Sequence, residues 1–278
     1  MFNPFPETAK VTVGGVSEIG VEALGDFRSW SINANSWRDI AFEQELNSRQ
    51  DLVVSVAVEE GTPIPAMALR TEGDDAWWPG GGTSETWLFP VVGTPGVSGS
   101  LVIGNPGIVP VTVTVDLFTS EGPVPAAVVV ELDRDEPARI DLSGLAGVTY
   151  GARVTATGPI AAAARASGEG GLAVTSGVEG DARTWLLPGA RTAGLEEATL
   201  WLLNTDEDAV TVTVSILTGG GLVGETVSVD AGTMQSFGPV PEGGLGYLID
   251  APFPLSVGWS VTSPNGTAYG TGIPVGDE

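Results

Sequence analysis

Hydrophobic positions in this chain recur on alternate residues far more often than on every third or fourth. In Leu101–Val115, LVIGNPGIVPVTVTV, a break at Asn105-Pro106-Gly107 is followed by Val111, Val113 and Val115, which alternate with Thr112 and Thr114. A period of two puts the three valines on one face of an extended chain, the pattern of a half-buried β-strand. Leu200–Val214, LWLLNTDEDAVTVTV, repeats it, with Asn204 for Asn105 and Val210, Val212 and Val214 for the three valines. Asn3-Pro4 starts a third version, followed at the same offsets by Ala9, Val11 and Val13. Asparagines at 3, 105 and 204 define a period of about a hundred residues, suited to one β-sandwich unit.

The rest of the pattern fits the same period. Thr86-Trp87-Leu88-Phe89-Pro90 and Thr184-Trp185-Leu186-Leu187-Pro188 each read as a short apolar strand closed by a proline, which cannot donate to a ladder. After the asparagine turn, one unit is expected to continue with strands at Ala127–Leu132, Ala138–Leu142, Ala152–Thr157, Ile160–Ala166 and Leu172–Ser176. The next continues with Thr226–Val229, Met234–Phe237, Gly246–Ile249, Leu255–Thr262 and Ala268–Thr271. Short strands at this spacing, with Gly, Pro and Asp turns between them, predict an all-β fold of tandem immunoglobulin-like β-sandwich repeats. No amphipathic period of 3.6 extends beyond about two turns, so helix is expected to be minor.

The expected units are 1–82, 83–180 and 181–278. The first has its later strands, Leu52–Val58 and Ile64–Arg70, but no tryptophan strand ahead of Asn3, and reads as N-terminally incomplete. A signal or anchor, or the absent strand itself, is expected from a segment outside this sequence. Gly-rich joints at Glu72–Thr83 and Gly177–Arg183 are short, so neighbouring units are expected to pack together.

Composition narrows the function classes. Gly 40 and Pro 20 beside 42% apolar residues read as turns in a β protein rather than as disorder. With 35 acidic residues against 11 basic, a net charge of −24 repels phosphate backbones and anionic lipid, so no nucleic-acid partner is expected. The absence of cysteine and histidine excludes disulfides, thiol nucleophiles, Cys or His metal sites and the Ser-His-Asp triad. No apolar run approaches the roughly 18–20 residues of a membrane-spanning helix.

Taken together, T-W-L-[FL]-P, the N-P or N-T turn, V-T-V-T-V and a closing strand such as Pro159–Arg165 (PIAAAAR) resemble an uncharacterised family of actinobacterial secreted or membrane-anchored proteins. Asn3–Ala9 (NPFPETA) resembles that family's first unit. The repeat is also similar to the β-sandwich of the sensory rhodopsin transducer family, a small soluble partner credited with ligand binding. The resemblance implies a transducer-like sandwich on the outer side of a bacterial membrane, and it carries no catalytic residues.

Candidate chemistry is sparse. Asp74-Asp75, Asp133/Asp135/Glu136 and Asp206-Glu207-Asp208 all fall in turns, where acidic residues serve solvation and Asx hydrogen bonds, and nothing isolates a glycosidase pair. Asp133-x-Asp135 is the nearest approach to a calcium loop, and these two are the calcium candidates; otherwise no metal is expected. Serine lacks an ordinary base in a chain without histidine and with Lys10 as its one lysine. Gly219-Gly220-Gly221 lies between two strands and reads as a hairpin loop.

The tryptophans say more. Trp87 and Trp185 recur at equivalent positions and are expected in the core, as are Trp201 and Trp259 on apolar strands. Trp30, Trp37, Trp77 and Trp78 have no counterparts, which makes them binding candidates: a sugar-stacking or protein-binding platform, or else a seal between the first two units. Arg70 and Arg165 close equivalent strands and are expected to pair with carboxylates, with an anion site as the alternative. The expected function is a non-enzymatic, extracytoplasmic structural or protein-interaction module of a bacterial envelope, without cofactors. A carbohydrate-binding module, its partner an envelope glycan, is the alternative, and a glycan-active hydrolase the third reading.

Overall fold

The computed structural model describes residues 1–46, 49, 51–71, 74–145, 147–168, 171–188, 197–238, 246–263 and 266–276, and nearly all of these elements are strands. First come β1 (Phe2–Asn3), β2 (Ala9–Ser17), β3 (Gly20–Val21), β4 (Trp30–Ile32) and β5 (Ser36–Trp37). The single turn α1 (Phe42–Glu45) leads to β6 (Leu52–Glu60), β7 (Ala66–Thr71) and β8 (Asp74–Pro79). Next are β9 (Ser84–Gly93), β10 (Val97–Asn105), β11 (Val111–Thr119), β12 (Gly122–Leu132) and β13 (Glu136–Asp141). They are followed by β14 (Tyr150–Gly168) and β15 (Gly171–Ser176). The last group holds β16 (Ala182–Pro188), β17 (Glu197–Leu203), β18 (Val210–Thr218) and β19 (Gly221–Val229). It ends with β20 (Met234–Phe237), β21 (Gly246–Ser263), β22 (Gly266–Thr271) and β23 (Ile273–Val275). The fold is all-β, as the alternating valines predict.

One long strand organises each of the later groups. The first half of β14 pairs with β11 and β9, and its second half pairs with β10 and β15. With β12 beside β11 and β13 beside β10, this 19-residue strand serves two sheets, and the core between them includes Trp87, Leu101, Val113, Val154 and Ile160. β21 does the same over 18 residues, pairing first with β16 and β18 and then with β17 and β22 around Trp185, Leu202, Val212 and Val257.

Two strands were expected where β14 runs unbroken, and two again where β21 does. The prolines are the reason for the difference. Pro159 lies where the pairing with β9 shifts register between Thr155 and Ile160, so the strand changes sheet there and no ladder bond depends on its missing N–H. The joint expected at Glu72–Thr83 is also partly strand, since Asp74–Pro79 pairs with β7 from Ala66↔Pro79 to Thr71↔Asp74.

The three asparagine turns are built alike. Asn3, Asn105 and Asn204 are all buried. The Asn105 amide donates to the carbonyls of Val109 (2.8 Å), Leu132 (3.3 Å) and Asp133 (3.0 Å), while its Oδ1 accepts from Gly107 N–H (2.9 Å). Asn204 donates to Asp208, Val229 and Asp230 and accepts from Asp206; Asn3 donates to Glu7, Ile32 and Asn33 and accepts from Phe5. Each side chain ties its own turn to a chain crossing about 25–30 residues later, and satisfies carbonyls that burial would otherwise strand. The strand after each turn buries its whole apolar row: Ala9, Val11, Val13; Val111, Val113, Val115; Val210, Val212, Val214.

The first group departs from this plan. β2 pairs with β6 on one side and with β3 and β4 on the other, and β1 pairs with β5. Its core of Ala9, Val11, Val13, Leu24, Ile32 and Leu46 is lined by Phe27, Trp30 and Phe42. The second and third groups pack through Val91, Val97, Ala173 and Tyr269, with the Tyr269 hydroxyl 2.9 Å from Thr94 Oγ1.

Candidate functional site

The unrepeated tryptophans take four different positions. Trp30, opposite Val11, stands edge-on to Phe27 at 5.7 Å, and the Arg38 guanidinium lies over its ring at 4.1 Å. This half-buried indole helps close the first core. Trp78 is half-buried with Leu69, Ala76, Leu172 and Val174, between the β7–β8 hairpin and β15. Trp77, one residue earlier on the same strand, points to the other face and is 59% exposed. Adjacent tryptophans on a strand cannot share one platform.

Trp37 is the most exposed, at 69%, and it is not alone. It pairs with Phe2 across β5 and β1, and Phe2 is bridged on its other side to Ile64 through two backbone hydrogen bonds of 2.9 and 2.7 Å. Residues opposite one another across antiparallel strands point to the same face. Trp37, Phe2 (47% exposed) and Ile64 (51%) therefore lie abreast as a flat apolar strip. Of the three, the sequence marks only Trp37; the strip depends on pairing between residues as much as 62 positions apart.

The arginines part company. The backbone of Arg70 pairs with Asp75 across the hairpin, and its side chain lies outside the described residues. Arg165 lies across from Ser100 on β10, and its buried Nε has no hydrogen-bond partner. Burial and the nearby Arg139 both lower its pKa, opposed by Asp51. Asp51 immediately precedes β6, and Val53 beside it would meet a Cβ at Gly104, so Arg165 faces the contact between the first and second groups.

Asp133 and Asp135 line a cleft of about 390 Å³ with Ser17, Glu18, Gly20, Arg134, Glu136 and Pro137. The Asp133 backbone and one oxygen of the Asp135 carboxylate are already engaged locally. Glu136 Oε2 accepts the Asp133 N–H at 2.7 Å, and Arg134 Nε donates to Asp135 Oδ2 at 2.8 Å. Among the described residues no three His, Cys, Asp or Glu side chains are grouped to hold a metal ion.

One titratable group escaped the sequence reading. Asp181, just before β16, accepts from Thr205 Oγ1 at 3.2 Å, while its Oδ1 is buried without a partner. Burial pushes its carboxyl up to about 6, with Thr205 opposing and Asp206 adding to the rise. Nothing local in the sequence distinguishes it from Asp206 or Asp208.

Residues 1–173 match the model of a family described as "Family of unknown function (DUF5719)". No curated protein matches the chain. A solved structure from Thermotoga maritima, "Crystal Structure of Thermotoga maritima 1070", is similar at 15% identity and a TM-score of 0.31, over 35% of this chain and 98% of that one.

Proposed function

The chain belongs to the DUF5719 family, and from that premise we propose that it is a non-enzymatic protein-interaction module of a bacterial envelope, acting outside the cytoplasm. The observation that carries this reading is the flat strip of Phe2, Trp37 and Ile64. Large apolar side chains laid abreast on strands fit a protein surface, where aromatic anchors at a water-excluded centre supply most of the binding energy. A sugar site would set its stacking rings among convergent polar groups in a concave pocket. The cleft at Asp133–Pro137 is acidic and has no aromatic ring among its lining residues.

The tandem arrangement of units 1–82, 83–180 and 181–278 is part of this proposal, supported by the three asparagine nodes. So is the envelope location, supported by the motif resemblance to secreted actinobacterial proteins and by a surface acidic enough to stay dispersed. A photo-crosslinking residue at position 37, introduced in the native host, tests the reading. The expected result is a discrete crosslinked envelope protein, lost when Phe2 and Ile64 are changed to serine. Glycan-array binding that disappears in Trp37→Ala would replace this reading with the carbohydrate-binding one.

A further inference from the structure

Ten residues after Asn3, Asn105 and Asn204 stand Val13, Val115 and Val214. Their cross-strand partners are Val56, Val154 and Ile249. Beyond Val154 stands Trp87, and beyond Ile249 stands Trp185, each on a strand that completes the sheet. Both indoles are buried, and their Nε1–H groups donate to the carbonyls of Ile160 (2.8 Å) and Leu255 (3.0 Å). Among the described residues, no strand pairs with β6 on the side of Val56 away from β2.

The open edge changes the burial of the row behind it. Val154 and Ile249 are fully buried, whereas Val54 and Val56 are half-buried and Val58 is 50% exposed. An unpaired backbone edge beside an apolar row is a template for an added strand. The charge at its end restricts which strand. Glu59 and Glu60 close β6, with the Lys10 ammonium on Glu60 Oε1 at 2.9 Å; hydrogen bonds from Thr12 and Ser29 hold the Glu59 carboxyl below its ordinary range, and two carboxylates against one lysine leave this end of the strand acidic. The chain's own tryptophan strands differ at the matching place: Glu85 lies two residues before Trp87, and Arg183 two before Trp185.

We propose that β6 is a docking edge for an extended polypeptide segment of the type Arg-x-Trp-aliphatic-x-Pro, added antiparallel to β6 with its indole over Val56 and its basic residue toward Glu59 and Glu60. The seat uses none of Phe2, Trp37 or Ile64, so its failure would leave the strip reading standing.

The test uses the full chain and two fluorescein-labelled peptides, ARTWLLP (residues 182–188) and SETWLFP (residues 84–90), followed by anisotropy at low salt. ARTWLLP is expected to bind saturably and more tightly than SETWLFP, with the preference shrinking as salt is added. Replacing its tryptophan by alanine should weaken binding by about tenfold or more. Hydrogen exchange should slow in residues 52–60 when ARTWLLP is bound. Val56→Asp should abolish binding, and the peptide-side tryptophan variant gives the same answer if that protein fails to fold. Absence of saturable binding, indifference to the tryptophan, or protection elsewhere than 52–60 would each overturn the proposal. So would a dimer of the chain that the peptide does not dissociate, since a second copy would then occupy the edge.

Discussion

Three buried asparagines carry more of this fold than their number suggests. Each amide has two N–H groups and serves three carbonyls, while its own oxygen holds the turn. Asn105→Ala would strand those carbonyls, and a loss of about 2–4 kcal/mol is expected in urea denaturation. Asn105→Asp keeps the shape but sets a carboxylate oxygen against three carbonyl oxygens, so at pH 7 it should destabilise at least as much as alanine. An aspartate that proved neutral would mean that the turn, rather than the amide, does the tying.

Asp181 makes a pH prediction at the same scale. Its carboxyl titrates near 3.8 when unfolded and at about 6 in the fold, so between these values the folded chain holds the extra proton. Stability from this group is therefore greatest at the acid end and falls as pH rises through about 6. Asp181→Asn should remove that slope and melt higher than the parent at pH 8, by on the order of 1–2 kcal/mol. Thermal melts of both proteins from pH 4 to pH 8 would show it; parallel curves would refute it.

Among elements, the tryptophan strands and the long sheet-switching strands depend on each other. Trp87 Nε1–H reaches Ile160 where β14 leaves one sheet for the other, and Trp185 reaches Leu255 at the corresponding point of β21. Trp87→Phe and Trp185→Phe keep an aromatic ring but leave a buried carbonyl unpaired, and each should lower stability by about 1–3 kcal/mol. Unequal losses, read from equilibrium unfolding, would show that the two bonds do different jobs. The strand β14 also shows where pattern reading stops. The hydrophobic alternation on both sides of Pro159 was visible, but proline normally ends a strand, and only the change of sheet lets this one continue.

For the molecule as a whole, charge works against compactness. A net charge of −24 spread over the sequence makes mutual repulsion a global penalty on the folded state. Raising sodium chloride from about 10 mM to about 0.5 M shortens the screening length from about 30 Å to a few ångströms and should raise the melting temperature by several degrees. A melting temperature that fell with salt would mean that ion pairs such as Arg153–Asp116 outweigh the repulsion.

The sequence by itself determined what depends on local rules. Alternating valines require strands, Gly, Pro and Asn place the turns, and the hundred-residue period marks Asn3, Asn105 and Asn204 as equivalent before any pairing is known. The missing cysteine and histidine likewise excluded chemistries that no arrangement of this chain can supply. The tertiary structure alone decided which residues meet across long stretches of chain. It set Phe2 between Trp37 and Ile64, turned Trp77 and Trp78 to opposite faces, buried Asp181 and, among the described residues, left one edge of β6 without a neighbour. Exposure and pairing are properties of a surface assembled from distant segments, and a linear pattern records which residues favour burial without recording what arrives to bury them.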